Sequence, residues 1–450
     1  MFIPHTDAER KEMLTALGLK NLDELFSDVP EKYRFPSLNI PAGLTEMQVK
    51  DFVNGFADAN ASTQQFVSFL GAGAYDHYTP AAVDSIIRRG EFFTAYTPYQ
   101  PEISQGTLQA IFEFQSLICN LTGLDVSNAS HYDGATAAAE ACLTAFSHFR
   151  GKRHKFILSG SIHPQYIQVM RTYLSGIADV EIQVVGDNTA PLKTPENIDR
   201  MIDENTALVM IQYPDFFGRI QDYSDLINNS HQQGALVCMV VNPIALGLLK
   251  TPAQMGADIA VGEGQPLGLP LSYGGPYLGF LAAKKVLVRK LSGRLVGETV
   301  DEHGKRGYVL TLTAREQHIR REKATSNICS NQGLMALAAT VYMSLLGKNG
   351  LRQVSQLCYD YAQYAAKKIS SLEGYKVITP EPFFHEFAVQ CPTSVDHINQ
   401  HLLNEGVLGG FSLENDFAGL ENCMLLAFTE KCTKDSIDLL CEILEESHHD

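Results

Sequence analysis

Between residues 107 and 285 the chain alternates two hydrophobic periods, and this alternation constrains its fold more than any other feature. A helical period runs through GTLQAIFEFQSLICNLTG, a short extended piece follows at VSNAS, and GATAAAEACLTAFSHF is helical again. Next come the apolar run FILSG, the helix HPQYIQVMRTYL, the run EIQVV and a helix ending near Met201. The run ALVMIQY, a helix from Asp222 and the run ALVCMVV continue the pattern. LGFLAAK reads as a further strand and residues 294–313 as a glycine-broken hairpin loop. Apolar runs this short and this continuous are strands covered on both sides, and helices between them supply the cover. The expected core is therefore a mostly parallel sheet with helices on both faces.

The flanks differ. Residues 1–60 read as a helical lead-in, in which Thr45 and Gln48 form a capping box opening LTEMQVKDFVNGFADAN. Beyond Asn331 a long helical stretch, QGLMALAATVYMSLL and then RQVSQLCYDYAQYAAKKISSL, leads into strand–strand–helix–strand–helix over 374–446. The expected division is a helical segment (1–60), a large sheet domain (61–330), and a connector helix with a small C-terminal α+β domain (331–450). The formal charge of −16 repels phosphate backbones and anionic headgroups, which argues against nucleic-acid or membrane partners. No apolar run approaches the ~20 residues that span a bilayer, and the start carries acids early with no apolar leader, so a cytoplasmic location is expected. The nine cysteines stand singly, without CxxC pairs, a pattern that offers neither structural zinc nor a redox dithiol. No metal is expected.

A seven-stranded large domain, a long connector helix and a small C-terminal domain are the layout of the fold-type-I enzymes that use pyridoxal phosphate (PLP). Such a site needs a helix N-terminus for the phosphate, an Asp ending a central strand to keep the pyridine nitrogen protonated, and a Lys after the next strand to bind the aldehyde. In HYDGATAAAEA, Gly134 opens a helix, with Ala135 and Thr136 supplying N–H groups and a hydroxyl. The same residues also suit a tight strand–helix turn that holds no ligand. The Asp position is Asn242, a neutral amide, and the Lys position is Pro266, which has no amine. The nearest lysines are Lys250, before this strand, and Lys284 and Lys285 after it. The chain is not expected to hold PLP covalently.

Several segments together resemble the glycine decarboxylase P-protein of the glycine cleavage system, in its amino-terminal subunit of the two-subunit bacterial type. They are FLGAGAYDHYTP, FFTAYTPYQPEISQG, SNASHYDGATAAAEA, HPQY, PIALGLL, VGEGQPLGLPLSYGGPYLGF and TAREQHIRREKATSNICSNQ. GGFSL and ENCMLLAFTE extend the likeness into the C-terminal part, so it covers essentially the whole chain. The resemblance implies a pseudo-symmetric companion that keeps the PLP lysine, forming αβ or α2β2. It implies that glycine is decarboxylated on the companion's PLP and that the aminomethyl group passes to the lipoyl disulfide of the H-protein. That disulfide is reduced as the carbon is oxidised, so the activity is an oxidoreductase. Relatives often carry Asp at the position of Asn242, a departure of no consequence in a site already lacking its lysine.

Fold-type-I sites lie at dimer interfaces, so a chain without its own chemistry can still complete its neighbour's pocket. Candidates for that role are Tyr75, His77 and Tyr78 in YDHYTP, with Tyr96, Tyr99, Gln100 and Gln105 in AYTPYQPEISQG and His131 in SNASHYDG. His77 serves equally as a structural histidine. Arg315, His318, Arg320, Arg321 and Lys323 form a dense cationic run with Asn327 beyond it. This run can meet the companion's PLP phosphate, an acidic patch of the H-protein, or the chain's own Glu316 and Glu322. Thr325, Ser326 and Asn327 are expected to cap the connector helix. Two other readings are a stand-alone PLP lyase or aminotransferase using an unexpected lysine such as Lys250 or Lys284, and a non-catalytic regulatory or carrier-docking protein.

Overall fold

A computed structural model describes residues 4–186, 192 and 198–447. The chain divides into two compact units, residues 1–61 and 62–450. In the first, the helix Asp7–Ala16 opens on a Thr6/Glu9 capping box and Glu46–Asp58 on the Thr45/Gln48 box read from the sequence. No helix among the described residues is long and apolar enough to cross a membrane.

The second unit is built on a seven-stranded sheet. Its spatial order is Val126–Ser127, Gly279–Ala283, Ile259–Glu263, Leu236–Val241, Thr206–Tyr213, Lys155–Ser159, Glu181–Val185. The last five run parallel to one another, and Gly279–Ala283 runs antiparallel to both its neighbours. Alternation along one strand explains the two-sided burial. Leu208 and Met210 join one core cluster, Val209 and Ile211 the opposite one, and all four are fully buried. The expected helices follow: Gln105–Thr122, Gly134–His148, Pro164–Leu174 and Ser224–Gln232. Gly123, at φ 75°, closes the first of these in the left-handed conformation that a side chain resists. The helix read as ending near Met201 is seen as Ile198–Met201, and residues 193–197 before it lie outside the described residues. The segment 294–313 is a regular hairpin, Leu295–Val300 paired with Arg306–Thr311.

The connector helix spans Gly333–Ile369 and breaks at Gly347, whose φ of 57° and ψ of −170° are not helical. Beyond it lies a four-stranded antiparallel sheet, Lys376–Val377, Glu386–Gln390, Cys423–Ala427 and Phe411–Ser412 in spatial order, with the helices Val395–Asn404 and Lys434–Glu446. The sequence pattern missed two short strands, Val407–Leu408 and Phe411–Ser412, which Gly409 and Gly410 separate. Val407–Leu408 instead pairs with Val67–Ser68.

The seam between the two sheets is the loop 214–220. Gly218 (φ 85°) lies so close to the backbone of Glu386 that a Cβ there collides with the Glu386 carbonyl. The Phe384 N–H donates to the Gly218 carbonyl at 2.9 Å and the Ile220 N–H to the Pro382 carbonyl at 2.8 Å.

Candidate functional site

Thr206–Tyr213, Leu236–Val241 and Ile259–Glu263 end at the same edge of the sheet, where open α/β sheets hold their ligands. A cleft opens there, lined by Asn242, Glu263, Pro266, His163, Tyr166 and His385 among others. Asn242 and Pro266 thus both line this cleft. The Asn242 carbonyl oxygen accepts the N–H groups of Ile244 (2.9 Å) and Ala245 (3.3 Å), which turns the chain after the strand. Its amide nitrogen lies 3.3 Å from Nε2 of His385. Burial pushes the His385 imidazole down to about 3, so it stands neutral.

At the helix start, the N–H groups of Gly134 and Thr136 are engaged within the chain. The Gly134 N–H donates to Oε2 of Glu263 at 2.9 Å, and the Thr136 N–H to Oδ1 of Asp133 at 2.7 Å. The other oxygen of Glu263 accepts the N–H groups of Gln265 (2.9 Å) and Leu278 (3.0 Å). Burial raises this carboxyl to about 8, against the pull of those three backbone donors. The Gln265 amide bridges Tyr75 and Leu269 through three bonds of 2.8–2.9 Å, holding the turn that delivers Pro266. PLP does not fit these residues. There is no amine at position 266, no acid at 242, and two of the N–H groups at the helix start, those of Gly134 and Thr136, already donate to carboxyl groups.

The unexpected-lysine reading meets the same difficulty. Lys250 is tied to Asp222 and Ser224, each at 3.0 Å. Lys284 donates to Asp258 (2.7 Å) and the Gly256 carbonyl (2.9 Å), at the edge of the sheet where the parallel strands begin.

Tyr75 and His77 are both buried beside the cleft. The Tyr75 hydroxyl donates to Oε2 of Glu386 at 2.6 Å, and Oε1 of that carboxyl accepts the Ala72 N–H at 2.8 Å. Burial raises Glu386 to about 7. His77 Nδ1 lies 2.6 Å from Oε2 of Glu430, which also receives the Cys358 thiol at 3.7 Å. The ligand atoms of these three residues lie within 4.8 Å of one another, and they are joined by direct hydrogen bonds. The Tyr78 N–H donates to Oε1 of the same Glu430 at 2.7 Å, while its side chain is exposed.

The loop after residue 92 and the cationic run, far apart in sequence, meet on a second surface. The guanidinium of Arg294 reaches the Tyr99 hydroxyl (3.3 Å) and the Cys329 carbonyl (2.7 Å), and the Tyr99 and His318 rings pack edge to face at 5.6 Å. Glu316 lies 3.6 Å from both Arg294 and His318, so part of the cluster is paired within the chain. Arg315 points inward and donates to the carbonyls of Gly293 (2.9 Å) and Leu312 (3.1 Å). Arg320, Arg321, Lys323, Asn327, Tyr96 and Gln100 are exposed. An apolar groove shared by Phe92–Pro98 and the start of the connector helix lies alongside.

Other candidates have structural partners. Gln105 bonds both backbone groups of Tyr308, fixing helix to hairpin. His131 is buried against Asn128 and Ser292, and burial lowers it to about 3. The capping expectation fails: the connector helix begins at Gly333 behind Gln332, with no side-chain cap. Ser326 instead donates to buried Glu140 at 2.5 Å, because six residues of loop separate it from the helix.

Sequence reasoning named HPQY and VGEGQPLG but passed over His163, Tyr166, Glu263 and Gln265 as site residues. It also missed Glu386. The available signal was a carboxylate inside an apolar run, as in IAVGEGQPL and FHEFAV, because such a group is buried only with partners.

The profile of the family described as "Glycine cleavage system P-protein" matches residues 1–444. The chain is 52% identical over 447 residues to the probable glycine dehydrogenase (decarboxylating) subunit 1 of Thermomicrobium roseum, covering 99% of each. It is 52% identical over 440 residues to the protein of the same name in Desulforamulus reducens, covering 98% of each. A crystal structure of glycine decarboxylase (P-protein) of the glycine cleavage system, in inhibitor-bound form, superposes with a TM-score of 0.90 at 40% identity, covering 99% of this chain and 100% of the other. A glutamate decarboxylase of Lactobacillus brevis, with a TM-score of 0.68 at 11% identity over 93% of this chain and 96% of that one, shares the fold.

Proposed function

This chain belongs to the glycine cleavage system P-protein family, and from that premise we propose a division of labour within its enzyme. It is the first of two subunits of a glycine dehydrogenase (decarboxylating), a complex in which PLP takes part. In our reading the second subunit holds PLP covalently, glycine is decarboxylated there, and the aminomethyl group leaves on the lipoyl arm of the H-protein. PLP supplies the electron sink for that decarboxylation. This chain contributes fold, interface and the wall of the companion's pocket, in an αβ pair that can double to α2β2.

The observation that carries the reading is the cleft described above. Pro266 and Asn242 line it and offer neither an amine nor an acid, while the chain matches the family profile over residues 1–444. A complete scaffold with an unusable site suits a subunit that works through its neighbour. The exposed Tyr96, Arg320, Arg321 and Lys323 are the side chains we assign to the meeting with the companion. Tyrosine brings a large contact area at small entropy cost, and arginine a planar fork for carboxylate or phosphate.

The test is a titration of the second subunit against Tyr96→Ala and the pair Arg320→Ala, Arg321→Ala. Anchors of this kind are worth about 2 kcal/mol, so affinity falls by roughly 30-fold and glycine–CO2 exchange at limiting companion falls with it. The unfolding midpoint of this chain stays unchanged, since all three side chains are exposed. Unaltered affinity and exchange would remove the assignment.

A further inference from the structure

We infer that the cleft is plugged from within: the Tyr166 ring and the Glu263 carboxylate stand where a PLP ring and its phosphate would lie. The inference rests on the proposed division of labour and deepens it, because it turns a site that lacks an amine into one that excludes the cofactor.

Three contacts carry it. The Tyr166 ring lies nearly flat on the His163 imidazole, with 13° between planes and centroids 4.9 Å apart, so the imidazole shelf in the cleft already holds an aromatic ring. The Tyr166 hydroxyl reaches the helix start, where a Cβ on Gly134 collides with it. There the Gly134 N–H, the first donor of the helix start, is bound to Glu263 at 2.9 Å. Glu263 in turn is clamped by the Gln265 and Leu278 N–H groups, so it does not swing aside without stranding buried donors. The chain supplies both a ring and a hydrogen-bond acceptor of its own. A planar aldehyde meets Tyr166, and a phosphate meets the Glu263 carboxyl already seated on the Gly134 N–H.

Restoring the amine alone is therefore insufficient. In the full-length Pro266→Lys variant, incubation with PLP and borohydride is expected to leave the new lysine unmodified. Adding Tyr166→Ala opens the place of the ring but not that of the phosphate, so pyridoxal, which has no phosphate, is captured while PLP is refused. In that capture the lysine amine condenses with the aldehyde and releases water, and borohydride reduces the imine to a stable secondary amine detectable in a peptide containing residue 266. Adding Glu263→Ser reverses the preference, with PLP captured at least tenfold more readily than pyridoxal.

A second measurement guards against poor folding of the serine variant. Inorganic phosphate should raise the unfolding midpoint of Glu263→Ser and leave that of the unaltered chain unchanged. The inference is overturned if Pro266→Lys alone takes up PLP, if Pro266→Lys with Tyr166→Ala captures both aldehydes equally or neither, or if phosphate does not stabilise Glu263→Ser. These readouts concern this chain's own cleft. Failure of the division of labour registers separately, as glycine–CO2 exchange indifferent to the presence of this chain.

Discussion

Supplied with glycine and PLP but no companion, this chain is expected to exchange no glycine carboxyl with CO2 above background, and addition of the second subunit should raise exchange by more than ~10³-fold, equivalent to about 4 kcal/mol of barrier. Losing a carboxylate from glycine leaves a carbanion that needs an electron sink, and the sink must be held and kept protonated. Pro266 cannot anchor an aldehyde, and Asn242 spends its oxygen on two backbone N–H groups. Two nearby lysines are committed elsewhere: Lys250 to Asp222, and Lys284 to Asp258 at the far edge of the sheet. Exchange by the isolated chain that disappears in Lys250→Ala or Lys284→Ala would revive a stand-alone enzyme.

The second large effect is structural. Asp215→Ala is expected to lower the chain's stability by about 3–5 kcal/mol, as is typical when one partner of a buried ion pair is removed. Asp215 and Arg219 are 2% and 12% exposed at their side chains, with a closest approach of 2.6 Å. The carboxylate also accepts the backbone N–H groups of Phe217 (3.0 Å) and Arg219 (2.9 Å). Its removal strands a guanidinium and two N–H groups in the loop that joins the large sheet to the C-terminal one. Burial alone raises the Asp215 pKa, so the pair is held by geometry against a desolvation cost. A double variant, Asp215→Leu with Arg219→Met, removes both charges and should cost less than either Asp215→Ala or Arg219→Ala. Denaturant midpoints compare the three. If the double variant is the least stable, the stranded-charge explanation is wrong.

The large sheet was readable in the sequence because its strands are covered on both faces. FILSG, ALVMIQY and ALVCMVV carry unbroken apolar runs, and two-sided burial leaves no other placement for them. The short strands around Gly409 and Gly410 were not readable, since two residues give no period. Asn242 and Pro266 could be located because position after a strand is a one-dimensional property. The closing of the cleft could not. It depends on Glu263 meeting a helix 129 residues earlier in the chain and on Glu386 meeting Tyr75 across 311 residues, and local pattern carries no trace of such pairings. The meeting of Tyr99 with His318 and Arg294 was hidden for the same reason, although Tyr99 and His318 had each been singled out and only Arg294 had not.

Whether the anchoring amine lies outside this polypeptide is tested most directly by borohydride reduction of the assembled two-subunit enzyme, followed by peptide mapping. The account predicts one pyridoxyl-lysine per αβ pair, carried by the companion, with every lysine of this chain unmodified. A pyridoxyl group on Lys250, Lys284 or any other lysine of this chain would contradict it.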